Sequence, residues 1–364
     1  MSEIVAADRP IEPRDDLRAL EGYHSPQLDV AVRLNTNESP YAPPAEFVDR
    51  WLAELRAAPL HRYPDREARE LRTALGDHLG QPTDHLFCAN GSNEVLQTLL
   101  LTYGGPGRRA AIFEPTYALH AHIARITGTE LVVGERRADF SIDPAAACAL
   151  IDDTAPSIVF VCSPNNPTGT VEPAATVEAL LEATAALVVV DEAYGEFAAW
   201  SALDLVREDR PLAVVRTYSK VWSMASLRLG FAVAPAWVVE ELEKVVLPYH
   251  LAVATQIAGR VALELGPEMK SRVDRLVAER DRITRALATV ERVICFPSGA
   301  NFVLLRVAGD GHALWEELVA RGVLVRDFSR WPRLDDCLRV TVGTPEENDA
   351  FLAALNESLR EVAA

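Results

Sequence analysis

The chain has 364 residues, 49% of them hydrophobic, enough to bury a large core and to divide into about two domains. Its 36 basic residues stand against 53 acidic ones, a formal net charge of −17, which argues against a protein that grips a nucleic-acid backbone. Only three of the basic residues are lysines (Lys220, Lys244 and Lys270), so chemistry that needs an amine nucleophile has three places to sit.

The opening MSEIVAADRPIEPRDD is acidic and lacks the basic-then-apolar run of an export signal, so a cytoplasmic protein is expected. Residues 1–44 are proline-rich and irregular, with one short helical stretch around Leu17–Glu21. Residues 45–265 alternate helical patterns with short apolar runs. The runs are Leu86–Cys88, Ala110–Phe113, Leu131–Val133, Ile158–Cys162, Leu187–Val190, Ala213–Val215 and Gly230–Ala234. Several are continuously apolar, as strands covered on both faces are, and helical periods such as Ser92–Leu101 and Ala175–Ala185 lie between them. That alternation predicts an α/β fold whose ligands bind at the carboxyl ends of the strands. After a helix at Trp237–Val246, residues 266–364 open with a long helical stretch, Pro267–Val290. They continue with Phe302–Arg306, a helix over His312–Arg321, Val323–Arg326, Leu338–Val342 and a terminal helix from Glu346, a smaller α+β domain. No apolar stretch reaches the roughly 18 residues of a spanning helix, so no membrane segment is expected. The five cysteines are scattered without a C-x-x-C pair and read as reduced thiols. His120 and His122, two apart, do not share a helix face and have no ligand cluster beside them, so no metal site is expected.

The chemistry gathers at strand ends. Ala213–Val215 leads into Arg216-Thr-Tyr-Ser-Lys220, with Arg228 eight residues further on. A lysine there can join a carbonyl cofactor, with Ser219 and Arg228 suited to a phosphate; alone it is an ordinary turn lysine. Leu187–Val190 ends in Asp191-Glu-Ala-Tyr194, and a carboxylate so placed either caps the next turn or faces a cation such as a pyridinium nitrogen. Ser163-Pro-Asn-Asn166-Pro-Thr-Gly169 is a rigid loop whose Asn166 can donate to an oxyanion. Asn90-Gly91-Ser92-Asn93-Glu94 opens a helix whose free N–H groups suit a phosphate, though an ordinary N-cap reads the same way. Pro115-Thr-Tyr117 offers an aromatic face. Each has a bland structural alternative; their joint occurrence at strand ends does not.

This set resembles the fold-type I pyridoxal-phosphate enzymes and, within them, the histidinol-phosphate aminotransferase family. Leu34-Asn-Thr-Asn-Glu-Ser-Pro-Tyr41, His61-Arg-Tyr63-Pro-Asp65, Pro297-Ser-Gly-Ala-Asn301-Phe302, Val325-Arg326-Asp-Phe328 and Cys337-Leu-Arg339-Val-Thr-Val-Gly-Thr344 are similar to that family's motifs, so the match runs nearly end to end. Asn93 stands where the family often has Asp, and Ser226 where Gly is usual. The resemblance implies a large cofactor-binding domain with a mostly parallel sheet and a smaller domain that takes the N-terminal segment with it. It implies pyridoxal 5'-phosphate joined to Lys220 as a Schiff base, with Lys220 also carrying the proton between the substrate and the cofactor. Asp191 would pair with the ring nitrogen, Asn166 and Tyr194 would hold the phenolic oxygen, and Tyr117 would stack on the ring. Gly91, Ser92, Asn93, Ser219 and Arg228 would hold the phosphate, joined by Tyr63 of a neighbouring subunit, which makes the active unit a homodimer.

The resemblance also implies the reaction, transamination between histidinol phosphate and 2-oxoglutarate. Arg326 and Arg339 would take either a phosphate or carboxylates by the same bidentate geometry, and Tyr23 and Asn37 would close over the substrate. Aromatic amino-acid aminotransferases and phosphothreonine decarboxylases share the scaffold and remain alternatives. A cofactor-sensing regulator would need a DNA-binding module, for which the first 44 residues leave no room.

Overall fold

The structure, a computed structural model, describes residues 11–361 except residues 19, 21 and 23–25. The described residues form twelve strands: β1 (Val32–Leu34), β2 (Leu86–Ala89), β3 (Arg109–Glu114), β4 (Glu130–Glu135), β5 (Ile158–Cys162), β6 (Leu187–Asp191), β7 (Leu212–Thr217), β8 (Gly230–Val233), β9 (Val293–Cys295), β10 (Phe302–Val307), β11 (Val323–Asp327) and β12 (Cys337–Thr341). The continuously apolar runs of the sequence are the strands of one seven-stranded sheet, ordered β2-β8-β7-β6-β5-β3-β4.

Every residue of β5, β6 and β7 is buried, because helices cover both faces. The two-residue period of a strand divides these side chains between two cores. Ile158, Phe160, Leu187 and Val189 enter one, and Val159, Val161, Val188 and Val190 enter the other. Strands β3 to β7 in this sheet are mutually parallel, while β8 is antiparallel to both of its neighbours, β2 and β7. The carboxyl ends of β2, β3, β5, β6 and β7 therefore open on one edge, where loops can converge on a ligand.

The second sheet is ordered β1-β11-β12-β10-β9. Its strand β1 comes from the N-terminal segment and pairs parallel with β11, Val32 opposite Val323 and Leu34 opposite Val325. That pairing carries residues 35–39 to the cavity edge of the large sheet. The register of β11 with β12 sets Arg326 directly opposite Arg339. Where a helical stretch was expected around Leu17–Glu21, the described residues hold a 3-10 turn, Asp15–Leu17, that buries no residue; residues 19 and 21 lie outside the described ones. Among the described residues, no helix is long and apolar enough to cross a membrane.

Gly230 marks where the sheet meets the start of the helix Ser92–Tyr103. A Cβ at this position would overlap the backbone of Gly91 and Ser92. Neither backbone can yield as a flexible side chain does, so Gly230→Ala is expected to lower the unfolding free energy by about 1–3 kcal/mol. Urea denaturation would show this as a lower midpoint at unchanged slope.

Candidate active site

Loops from five strand ends and the segment after β1 enclose a cavity of about 380 Å3. Ser92, Asn93, Tyr117, Asn166, Asp191, Tyr194, Ser219, Lys220 and Arg228 all line it. Thr36 and Glu38, for which the sequence carried no chemical signal beyond a shared motif, line it too.

At one end of the cavity the groups suit an anion. Gly91 has φ +81 and stands just before the helix that Ser92 opens, and a Cβ on it would overlap the Arg228 guanidinium. Glycine thus lets the cation lie against the helix start, where the unpaired N–H groups also favour negative charge. Arg228 Nη1 donates to Ser219 Oγ at 3.4 Å and to the Ala225 carbonyl at 2.9 Å, and Thr217 Oγ1 donates to Ser219 Oγ at 3.0 Å.

Asp191, 1% exposed, ends β6 against the floor of the cavity. Its Oδ1 accepts from the Ala193 N–H at 3.1 Å, and its Oδ2 lies 2.9 Å from His120 Nε2. His120 is fully buried, stacked on Phe160 with centroids 4.8 Å apart and edge-on to Tyr117 at 5.5 Å. Its Nδ1 is buried without a hydrogen-bond partner among the described residues. A proton there would be unsatisfied, so the geometry assigns the proton to Nε2, which donates it to Asp191. Of the histidine pair singled out in the sequence, His120 braces a carboxylate 71 residues away. Among the described residues no group of three or more His, Cys, Asp or Glu could hold a metal ion.

Tyr194 and Asn166 meet above this floor. Asn37 Nδ2 donates to Tyr194 Oη at 3.0 Å, and Asn166 Nδ2 lies 3.5 Å from the same oxygen. Burial pushes the Tyr194 hydroxyl up to about 12, against the pull of Arg339 and the Asn37 hydrogen bond. Arg339, 6% exposed, donates from Nη1 to Asn166 Oδ1 at 2.6 Å and from Nη2 to the Asn35 carbonyl at 2.7 Å. Its guanidinium also lies over the rings of Phe302 and Phe328.

Lys220 stands at the centre. Its Nζ donates to the Thr36 carbonyl at 3.1 Å and lies 5.8 Å from the Tyr194 ring centroid. Its amine is lowered from 10.5 to about 8, chiefly because burial disfavours the charged form. Arg339 and Arg228 lower it further and Glu38 opposes them.

These groups fit pyridoxal phosphate. A buried carboxylate faces the cavity with only neutral N–H donors for protein partners, which leaves a place for a cationic ring nitrogen. Arg228, Ser219 and the helix start form the cradle for its phosphate, and Tyr117 on the cavity wall offers a ring face while donating from Oη to Asn93 Oδ1 at 3.2 Å.

Gly91 and Arg339 stand behind the lining residues Ser92 and Asn166, and three further expected residues, Asn37, Arg326 and Tyr63, do not line the cavity. Asn37 turns away from the cavity and is buried; its φ is +55, and its side chain bonds Tyr194 and Thr341. It holds the ledge that Thr36 and Glu38 project from. Arg326 sits beside Arg339 in the small sheet but does not line the cavity. Tyr63 is 79% exposed and stacks on Tyr249 with centroids 4.6 Å apart, away from the cavity of its own chain. Tyr23 lies outside the described residues.

Comparison with known proteins gives the same direction. Residues 30–355 match the model of the family aminotransferase class I and II. The histidinol-phosphate aminotransferase of Streptomyces avermitilis is 47% identical, over 97% of this chain and 98% of its own. That of Thermobifida fusca is also 47% identical, over 94% of each. The crystal structure of histidinol-phosphate aminotransferase from Sinorhizobium meliloti in complex with pyridoxal-5'-phosphate superposes with a TM-score of 0.83, covering 92% of each chain at 24% identity, a likeness of fold.

The lowered amine has a direct readout, because three lysines give easily separated peptides. Acetylation of Lys220 in the chain freed of cofactor is expected to rise with pH through a midpoint of about 8, as neutral amine replaces ammonium. Arg339→Ala should move that midpoint up, since it removes a neighbouring cation. Peptide mass spectrometry after pulse labelling measures both; a midpoint unmoved from 10.5 would contradict the electrostatics described.

Proposed function

The chain belongs to the aminotransferase class I and II family, and we propose that it transfers the amino group between histidinol phosphate and 2-oxoglutarate, giving imidazole acetol phosphate and glutamate in histidine biosynthesis. The substrate assignment rests on the near end-to-end likeness to relatives of that name. The chemical assignment rests on one observation, that a depressed lysine amine, a buried carboxylate and an anion cradle line a single cavity.

Pyridoxal phosphate, when bound, supplies an electron sink for the electrons of the substrate's α-C–H bond. Asp191, which accepts from His120 and the Ala193 N–H, would pair with the ring nitrogen and stabilise positive charge there. Asn166 and Tyr194 would hold the phenolic oxygen, Tyr117 the ring face, and Gly91, Ser92, Asn93, Ser219 and Arg228 the phosphate. Lys220 Nζ takes the α-proton and passes it on; with a pKa of about 8, roughly a tenth of the amine is neutral at pH 7, several hundredfold more than at the ordinary value of 10.5. Removing that amine leaves no other lysine among the cavity residues.

Arg339 and its neighbour Arg326 would bind the substrate phosphate in one half-reaction and the carboxylates of glutamate in the other, so one site serves both and kinetics are ping-pong. The enzyme acts as a cytoplasmic homodimer in this reading. The exposed Tyr63–Tyr249 stack supports the dimer, since so large an exposed aromatic pair suits an interface from which Tyr63 reaches the partner's phosphate.

Lys220→Ala is expected to abolish both the cofactor's protein-linked absorbance and turnover of histidinol phosphate; an unchanged yellow, active enzyme would overturn the assignment. The shared site is tested by mixing subunits. Lys220→Ala and Tyr63→Ala chains, each impaired alone, should on dissociation and reassociation form hybrids with one intact site, restoring roughly a quarter of wild-type activity by random pairing. No gain on mixing would mean that Tyr63 does not act across subunits.

A further inference from the structure

Besides Asp191, one carboxylate lines the cavity. Asp191 is buried and bonded to His120 and Ala193, whereas Glu38 is exposed at the mouth. Glu38 Oε2 accepts from Thr36 Oγ1 at 2.8 Å, and no described residue bonds Oε1. The same Thr36 accepts Lys220 Nζ through its carbonyl, so Glu38 sits one residue pair from the reacting amine.

The backbone beneath Glu38 is fixed from both sides. Asn37 N donates to Thr341 Oγ1 at 3.0 Å, its side chain holds Tyr194 Oη, and its carbonyl accepts from Asn301 Nδ2 at 3.2 Å. These bonds hold Asn37 in the left-handed region, a conformation that persists only where surroundings over-determine it. On the other side, Ser223 Oγ donates to Ser39 Oγ at 3.0 Å. A carboxylate on so constrained a ledge is pre-organised for a donor of fixed position.

We propose that Glu38 is a specificity-determining residue whose carboxylate takes the imidazole N–H of the substrate. The inference rests on histidinol phosphate being that substrate. The molecule presents three polar groups: an amine for the reacting end, a phosphate for the arginines, and a ring N–H. Lys220, Arg228 and Arg339 are cations and repel or ignore the third; Glu38 is the charged acceptor left for it. A phenyl ring brings no N–H, and docking it strips water from the carboxylate without replacement. Discrimination of this kind is stronger than anything an apolar pocket achieves by shape.

The comparator is phenylalaninol phosphate, which keeps the amine and phosphate and replaces imidazole by phenyl. Wild-type, Glu38→Ala and Glu38→Gln holoenzymes are assayed for kcat/KM on both compounds with 2-oxoglutarate. Equilibrium Kd values for both are measured by calorimetry in cofactor-loaded Lys220→Ala, with and without Glu38→Ala, where no turnover occurs. Loss of a hydrogen bond to a charged group predicts that preference for the imidazole compound falls roughly 10- to 100-fold in Glu38→Ala, in kcat/KM and in Kd alike. Glu38→Gln, which keeps a neutral acceptor, should fall between. Equal losses on both compounds would overturn the proposal, because they would mean that Glu38 acts only on the Lys220 amine; so would no loss on either. A wild-type enzyme inert toward histidinol phosphate would overturn the substrate assignment itself, and this inference with it.

Discussion

A carboxylate at the end of a fully buried strand is the constraint around which the rest is arranged. Asp191 is 1% exposed, and a charge so placed is tolerable only with donors on both oxygens. Ala193 N–H supplies one, from the turn that follows β6. His120 supplies the other, from the helix Ala118–Ile126 that follows β3, and is itself clamped by Phe160 and Tyr117. The parallel sheet makes this possible, because it brings the ends of β3, β5 and β6 to one edge. Neither donor is a lysine or arginine, and the carboxylate lines the cavity, where a cationic ligand can reach it.

The amine side depends on a different connection. Residues 35–39 belong by chain to the N-terminal segment and by strand pairing to the small sheet, yet they form one wall of the cavity in the large sheet's edge. Asn35 accepts from Arg339, Thr36 from Lys220, and Asn37 bonds Tyr194, Thr341 and Asn301. One short stretch therefore ties Arg339 to Lys220 and to Tyr194. The coupling is electrostatic as well as mechanical: Arg339 lowers the amine that its partner segment holds. Displacing the small sheet would disturb substrate binding and proton transfer together.

Different parts of the site were legible in the sequence to different degrees. Lys220, Asp191, Asn166 and Ser92 each lie within five residues of the end of an apolar run, so their convergence follows from strand order in an α/β sheet. His120 carried no such signal. It lies within a helix, two residues from a second histidine with which it shares no face, and its partner is 71 residues away. Arg339 was legible as a charge on an apolar strand, but its contact with Asn166 spans 173 residues and joins two sheets. Asn37 was read as a substrate contact; its left-handed backbone and its bonds to Tyr194 and Thr341 were not legible, because those partners lie 157 and 304 residues away. Tyr63 could not be located from local pattern at all, since in its own chain it stacks on Tyr249 and faces outward.

The sequence by itself determined the layered α/β class, the strand ends, and which of three lysines stands at one of them, because apolar periodicity and turn residues are local properties. Only the tertiary structure decided which charge meets which partner. Hydrogen bonds and charges act over a few ångströms, while the groups they join, Asp191 with His120 or Lys220 with Thr36, lie 71 and 184 residues apart in the chain. Folding alone brings such groups within reach, and the same burial that unites them takes the water from Lys220 and lowers its amine to about 8.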